Sequence, residues 1–200
     1  MQNVQRWPVV GYLLVNAAAG VAGAVIGRRY PDLVKERMHP GPGALESFAA
    51  TVALYGGTWA AHLLVAAFDR LRWHRSDTVP FGLRILGLVG FALANGIIVW
   101  AMLVNRFFSS AVRIQHDRGQ VVVSAGPYHT VRHPGYAAGV FYAPMGALAL
   151  GSWLSLLSSL LFCLAIVRRT AMEDRLLHDA LPGYTEYAAR VRYRLIPGLW

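Results

Sequence analysis

Long uncharged stretches alternate with short arginine-rich segments along the chain. Three of these stretches, residues 8–27, 47–68 and 85–105, contain no Asp, Glu, Lys or Arg. Each is close to the roughly 20 residues that an α-helix needs to cross the hydrocarbon core of a bilayer. The pattern therefore predicts three transmembrane helices in the first half of the chain.

The fourth uncharged stretch, residues 134–167, is too long for one span. As a single straight helix its 34 residues would measure about 50 Å, whereas the hydrocarbon core is about 30 Å thick. Gly151 and Ser152 lie near its middle and are residue types that favour a tight reversal. We therefore predict a short helical hairpin here, and in total an all-α integral membrane protein with five transmembrane helices.

The distribution of basic residues predicts how this protein is oriented. With the hairpin, 14 of the 19 Lys and Arg lie on one side of the membrane, whereas a single fourth span would divide them 8 against 11. Loops rich in Lys and Arg remain in the cytoplasm. We therefore expect the N-terminus outside and a helical C-terminal tail in the cytoplasm. The net charge of +9 then reflects cytoplasmic loops and not a nucleic-acid surface. The basic residues expected outside are Arg6, Arg70, Arg72, Arg75 and Arg84.

The hairpin also predicts where chemistry is concentrated. It returns residues 113–132 and residues 168–200 to the same membrane face, which brings His133 and Glu173 together. We therefore divide the single predicted domain into three N-terminal spans with their loops (residues 1–105) and a catalytic region (residues 106–200). Around Glu36 we expect a solvated, topology-setting segment, with a cytoplasmic site lined by Glu36 and Arg37 as the alternative. In residues 69–84 we expect no chemistry.

Several classes of site are not indicated. Cys163 is the one cysteine, so a disulfide within the chain is excluded, and no Cys or His pair has the spacing of a zinc site. The chain has neither a glycine-rich phosphate loop nor a GxSxG nucleophile motif. No metal is therefore expected.

The segment Arg132-His133-Pro134 stands at the predicted start of the hairpin. Proline suits the first turn of a helix, and the free N–H groups of that turn attract carboxylate or phosphate. Arg132 adds a guanidinium that binds such groups with two parallel hydrogen bonds. A proline-initiated helix with interfacial anchors explains the same spacing equally well. In the tail, Arg192 and Arg194 either contact anionic lipid or hold an anionic substrate group.

Residues 126–136, GPYHTVRHPGY, are similar to the signature of the isoprenylcysteine carboxyl methyltransferase family and of related bacterial phospholipid methyltransferases. Further residues match the C-terminal pattern of that family in the same order. Two positions depart from it, since His129-Thr130 replaces a basic or aromatic pair, and Asp174 replaces a second glutamate with a side chain one methylene shorter. The matching C-terminal residues are Glu173, Tyr184, Tyr187 and 192–200.

The resemblance implies a pocket for S-adenosylmethionine at the cytoplasmic membrane surface, closed by the RHP segment, the hairpin and the tail. Chemically, Arg132 and His133 suit the carboxylate of the cofactor, and Glu173 suits its ribose or amino group. Tyr136 or Tyr187 suits the sulfonium by cation–π attraction. The expected cofactor-binding residues are Tyr128, Arg132, His133, Pro134, Tyr136, Glu173 and Tyr187. The expected catalytic residues are Glu173, Arg192 and Arg194.

The acceptor that this resemblance implies is lipophilic: a lipid-modified or small-molecule carboxylate as in isoprenylcysteine methylation, reached from the membrane lipid. A phospholipid amine is an alternative, and it would need Glu173 or His133 to remove a proton. A sterol or lipid reductase using NADPH shares the C-terminal likeness but would need sites for extra phosphates and a longer chain. A non-catalytic membrane protein is the third hypothesis. The sequence does not indicate the oligomeric state.

Overall fold

The computed structural model describes residues 7–39, 41, 43–44 and 48–200, and its regular secondary structure in these ranges is entirely helical. A long helix, α1, is followed by a short one, α2. The next two helices, α3 and α4, join through a π-helical turn into one continuous helical segment, Ala49–Trp73. The first four helices are α1 (Trp7–Arg29), α2 (Pro31–Met38), α3 (Phe48–Thr51) and α4 (Gly57–Phe68).

A long polar connection, residues 105–133, interrupts the helices of the second half. It contains two 3₁₀ turns, His116–Arg118 and Gly126–His129, and residues 121–123 between them are not helical. The last four helices are α5 (Phe81–Val104), α6 (Pro134–Leu150), α7 (Leu154–Ala180) and α8 (Tyr184–Arg190).

Four helical segments among the described residues are long and apolar enough to cross a membrane: Trp7–Arg29, Ala49–Trp73, Phe81–Val104 and Leu154–Ala180. They confirm an all-α, multi-pass membrane protein and the three N-terminal spans, with shifted boundaries. Position 47, the predicted start of the second span, lies outside the described residues. Helix α6 has 17 residues and is about 25 Å long, shorter than the other four segments. The fifth crossing therefore stays a prediction.

The reversal near Gly151 is confirmed. Gly151 has a φ of 72°, in the left-handed region that favours glycine, and Ser152 after it is fully buried. The two arms differ in length, because α7 continues for 27 residues into the polar segment while α6 starts at Pro134. The start of α6 and the polar end of α7 consequently lie at the same end of the helix bundle.

Close packing between α5 and α6 holds this hairpin against the N-terminal spans. At Gly87 of α5, an added Cβ would lie 2.6 Å from the backbone nitrogen of Ala149. Phe91, one turn further on, is fully buried and stacks on Tyr12 of α1 with ring centroids 4.5 Å apart. Small residues allow such a close backbone approach between helices in membranes, where van der Waals packing is a main source of association.

We predict that Gly87→Ala destabilises the protein by about 1–3 kcal/mol, because the new methyl group would meet the backbone of α6, which cannot move aside alone. Gly96→Ala on the same helix is the matched control, since nothing lies within 4 Å of its added Cβ. It should leave stability unchanged or raise it by up to about 1 kcal/mol through helix propensity. Thermal melting of both variants in detergent measures the difference, and equal melting temperatures would contradict the close approach.

Candidate active site

A cleft opens where α5 ends, α6 begins and the polar half of α7 passes. Its walls combine apolar side chains from the α5–α6 connection with tyrosines and charged groups from α6, α7 and α8. The lining residues are Asn105, Phe107, Phe108, Ser109, Gln120, Val121, Val122, Val123, Tyr128, Arg132, His133, Gly135, Tyr136, Glu173, Leu177, Leu181, Tyr184 and Tyr187.

The carboxylate of Asp174, fully buried on α7, is the centre of the ionic network beside this cleft. Arg132 binds it with two hydrogen bonds, Nε to Oδ1 at 2.8 Å and Nη2 to Oδ2 at 3.0 Å. His133 Nε2 lies 3.1 Å from Oδ1, and the Tyr184 hydroxyl donates to the same oxygen at 2.9 Å. Arg194 Nε donates to Oδ2 at 2.7 Å. Both carboxylate oxygens are therefore fully engaged inside the protein.

Arg132 lines the cleft, but its guanidinium is hydrogen-bonded to groups inside the protein. Besides its two bonds to Asp174, its Nη1 donates to the carbonyls of Val191 at 2.9 Å and Arg192 at 2.7 Å. Burial lowers the pKa of the Arg132 guanidinium, but the hydrogen bonds and charge of Asp174 raise it more, so the net direction is upward. Arg132 thus stays charged and ties α7 to the C-terminal tail.

Backbone hydrogen bonds reinforce this connection. The N–H of Arg132 donates to the carbonyl of Tyr193 at 2.9 Å, and the N–H of His133 donates to that of Arg194 at 3.0 Å. The tail therefore runs alongside the segment that precedes α6. This pairing fixes the position of His133 at the N-terminal end of α6.

Glu173, the neighbour of Asp174, lies on the wall of the cleft. Its Oε2 accepts a hydrogen bond of 2.6 Å from the hydroxyl of Tyr136, and that hydroxyl accepts one of 2.8 Å from Nε of Arg169. Arg169 is buried and also donates to the carbonyl of Ser110. A half-buried carboxylate is thus held at the cleft by a tyrosine and a buried cation.

Two further tyrosines close the opposite wall. The Tyr187 hydroxyl donates to the carbonyl of Tyr128 at 2.6 Å, which joins α8 to the loop before α6. Burial raises the pKa of Tyr187 to about 12 and also raises that of Tyr128. Both phenols are therefore neutral near pH 7, and the single proton of the Tyr187 hydroxyl is already donated to Tyr128.

The segment around Glu36 is not the solvated loop that the sequence indicates. Glu36 is 5% exposed and binds Arg113 through both oxygens, at 2.7 and 2.6 Å. Arg37 donates to the carbonyl of Phe108, a residue of the cleft wall, at 3.1 Å. The expectation of solvation fails because the partner, Arg113, comes from 77 residues further along the chain. Helix α2 therefore supports the cleft from outside.

Comparison with known proteins identifies the segment that forms most of this site. The model of the isoprenylcysteine carboxyl methyltransferase (ICMT) family matches residues 85–179. The suspected family is confirmed over this segment.

A curated relative is similar over a larger part of the chain. The cobalt-zinc-cadmium resistance protein CzcN of Cupriavidus metallidurans is 30% identical over 128 residues, which covers 62% of this chain and 53% of that protein. The chain thus spans about half the length of this relative. Together with the apolar helices, the ICMT family match supports a membrane methyltransferase.

The ICMT segment contains the predicted cofactor residues except Tyr187, and the structure places six of the seven on the cleft. Pro134 does not line it but starts α6 at its edge. Of the predicted catalytic residues, Glu173 lines the cleft. Arg192 is exposed outside it, and Arg194 is held by Asp174. The six that line it are Tyr128, Arg132, His133, Tyr136, Glu173 and Tyr187.

Sequence reasoning missed the apolar walls and the importance of Asp174. Phe108 and Val122 lie in segments whose local pattern marks no site, so their contribution follows from tertiary folding alone. Leu177 and Leu181 belong to an apolar cluster with Tyr184, Tyr187 and Val191 that fixes α8 against α7. The sequence signal that could have indicated the importance of Asp174 is its position directly after Glu173, as a second acid.

We predict that Asp174→Asn destabilises the protein by about 3–5 kcal/mol, because it leaves the buried Arg132 guanidinium without its counter-charge. Asp179→Asn on the same helix is the matched control: Asp179 is exposed, so stability should change by less than about 0.5 kcal/mol. Denaturant unfolding in mixed micelles, followed by tryptophan fluorescence, compares the two. Equal stability would show that the network around Asp174 is dispensable.

Proposed function

We propose that this protein transfers a methyl group from S-adenosylmethionine to a lipophilic acceptor. The observation that carries the proposal is the cleft itself: within the ICMT segment, an apolar slot is combined with the Glu173 carboxylate and neutral tyrosines.

The residues present fit this cofactor. The apolar side chains of Phe108 and Val122 give the lining surface that suits an adenine ring. Glu173 presents a carboxylate for ribose hydroxyls or an amino group. The first turn of α6, at Gly135 and Tyr136, contributes N–H groups without acceptors inside the helix, which suit a carboxylate.

In this proposal Arg132 positions the segments around the cleft and does not bind the cofactor. Four of its hydrogen bonds go to Asp174, Val191 and Arg192, so its guanidinium holds the cleft together. His133 Nε2 faces Asp174, which leaves Nδ1 as the ring nitrogen not engaged by that carboxylate. We therefore assign the cofactor carboxylate to His133 and the start of α6.

When bound, S-adenosylmethionine supplies a methyl group that is already activated. The protein then has to align the acceptor, exclude water and control protons. A carboxylate acceptor needs no proton removed, which matches a site whose phenols are neutral and whose Asp174 is fully engaged. We therefore propose a lipophilic carboxylate as the acceptor, entering from the membrane lipid.

Glu173 supports a second class of methyl acceptor, an amine. An amine must lose a proton before or during methylation, and Glu173 is a carboxylate on the cleft wall with a neutral donor, Tyr136, on one oxygen. Methylation of a phospholipid amine is therefore the alternative. A reductase using NADPH fits less well, because the guanidinium on the lining, Arg132, is already engaged by Asp174 and two backbone carbonyls.

We also propose that the cleft faces the cytoplasm. The hairpin of α6 and α7 places the basic connections at the same end of the bundle as the cleft, and such segments remain in the cytoplasm. The N-terminus of α1 then lies outside, and the tail after α7 lies inside.

The test is calorimetric binding of S-adenosylhomocysteine to the purified full chain in lipid nanodiscs. We expect wild type to bind and Glu173→Gln to bind at least about tenfold more weakly, because a hydrogen bond to a charged group is lost. Glu186→Gln on α8 is the matched control, since Glu186 is exposed outside the cleft, and it should bind as wild type does.

Three results would overturn the proposal. Folded wild type that binds NADPH in place of S-adenosylhomocysteine would favour the reductase. Wild type that binds neither would favour a non-catalytic protein. Equal weakening in Glu173→Gln and Glu186→Gln would move the cofactor away from this cleft.

A further inference from the structure

A second cavity, of about 760 Å³, lies at the opposite end of the bundle. Arg84, in the first turns of α5, lines this cavity, whereas Asn105, just after the end of α5, lines the first cleft. The two residues are 21 positions apart along one helix, which separates them by about 30 Å. The second cavity therefore cannot be part of the proposed methyltransferase site.

The walls of this cavity are mainly apolar. They come from the N-terminal turn of α1, the last turns of α4 and the end of α6, and include Val9, Leu63, Ala66 and Leu150. All four residues belong to hydrophobic segments of the bundle, so the cavity opens among helices that are surrounded by lipid. An occupant of this region must have a long apolar part.

The polar groups on the wall are basic. Arg84, Arg70 and His74 line the cavity, and no Asp or Glu does so among the described residues. Arg84 is only 3% exposed, and its buried Nε has no hydrogen-bond partner. Leaving a buried guanidinium nitrogen unpaired is costly, so the arrangement calls for an acceptor that is not part of the described chain.

The two acids near Arg84, Asp69 and Asp77, are hydrogen-bonded or paired with other residues. The carboxylate of Asp69 is fully buried and accepts hydrogen bonds from Ser76 Oγ and, at 2.5 Å, from Ser152 Oγ. Asp77 forms a pair of 3.1 Å with Arg70 and lies 3.3 Å from His74 Nδ1, but it is more than half exposed. Among described residues, neither acid forms an ion pair with Arg84.

We propose that this cavity binds a membrane phospholipid with an anionic headgroup. Its phosphate would accept hydrogen bonds from Arg84 and Arg70, and an acyl chain would cover the apolar wall formed by Val9, Leu63 and Leu150. Guanidinium groups match phosphate geometry with paired hydrogen bonds. A zwitterionic lipid would add its own cation to a wall that is already basic.

The proposed site would give residues 69–84 a binding function, whereas the sequence predicts no chemistry there. This connection holds Arg70 and His74 at the cavity, while Asp69 fixes it to the hairpin turn through Ser152. The hairpin turn itself contacts the cation, since an added Cβ at Gly151 would lie 2.8 Å from Arg84 Nε. A bound lipid would therefore join α1, α4, α5 and the α6–α7 turn.

The experiment is native mass spectrometry of the full chain in detergent, titrated separately with dioleoyl phosphatidylglycerol, dioleoyl phosphatidylcholine and inorganic phosphate. We expect wild type to bind phosphatidylglycerol at least about tenfold more tightly than phosphatidylcholine, and to bind inorganic phosphate more weakly than either. Arg84→Gln should lose the preference between the two lipids. Arg72→Gln is the matched control, because Arg72 is exposed at the same end and does not line the cavity.

Equal affinity for the two lipids in wild type would overturn the proposal, as would a preference that survives in Arg84→Gln. Inorganic phosphate bound as tightly as phosphatidylglycerol would replace the lipid with a free anion and overturn it as well. If Arg84→Gln does not fold, Arg70→Gln decides: a preference reduced at least about threefold supports the site, and an unchanged preference refutes it. These results do not depend on binding of S-adenosylhomocysteine at the other end.

Discussion

The structure around the cleft depends on one constraint, the buried carboxylate of Asp174. An isolated charge in that position would be too costly to bury, so the chain has to bring cations to it. They come from two separate segments: Arg132 before α6, and Arg194 in the tail. Satisfying one side chain on α7 therefore assembles the loop, the start of α6 and the tail around a common point.

The hairpin makes this assembly possible. Because α6 is short and α7 is long, the start of α6 meets α7 near Glu173 and Asp174 and not at its end. Close contact between α5 and α6 at Gly87 then holds the hairpin beside the N-terminal spans, so the end of α5 becomes a wall of the cleft. Packing deep in the bundle thus determines geometry at its polar end.

Hydropathy and turn chemistry predicted the helices and the reversal at Gly151, because length and composition are local properties of the sequence. The motif around His133 and Tyr136 likewise located most of the cleft. Pairings between distant residues could not be predicted: Glu36 with Arg113, or Asp174 with Arg194, depends on how helices pack. Arg84 illustrates the same limit, since a positive charge in a loop pattern does not reveal a buried guanidinium.

Glu173 and Asp174 show how adjacent acids acquire different functions. Successive residues on a helix point about 100° apart, so one side chain enters the ionic network while the other reaches the cleft. Asp174 binds Arg132 with two bonds of 2.8 and 3.0 Å, and a longer glutamate in that position would have to move the guanidinium away from α7. The shorter acid therefore suits a structural position, and Glu173, whose Oε2 accepts a hydrogen bond from Tyr136, is the acid that lines the cleft.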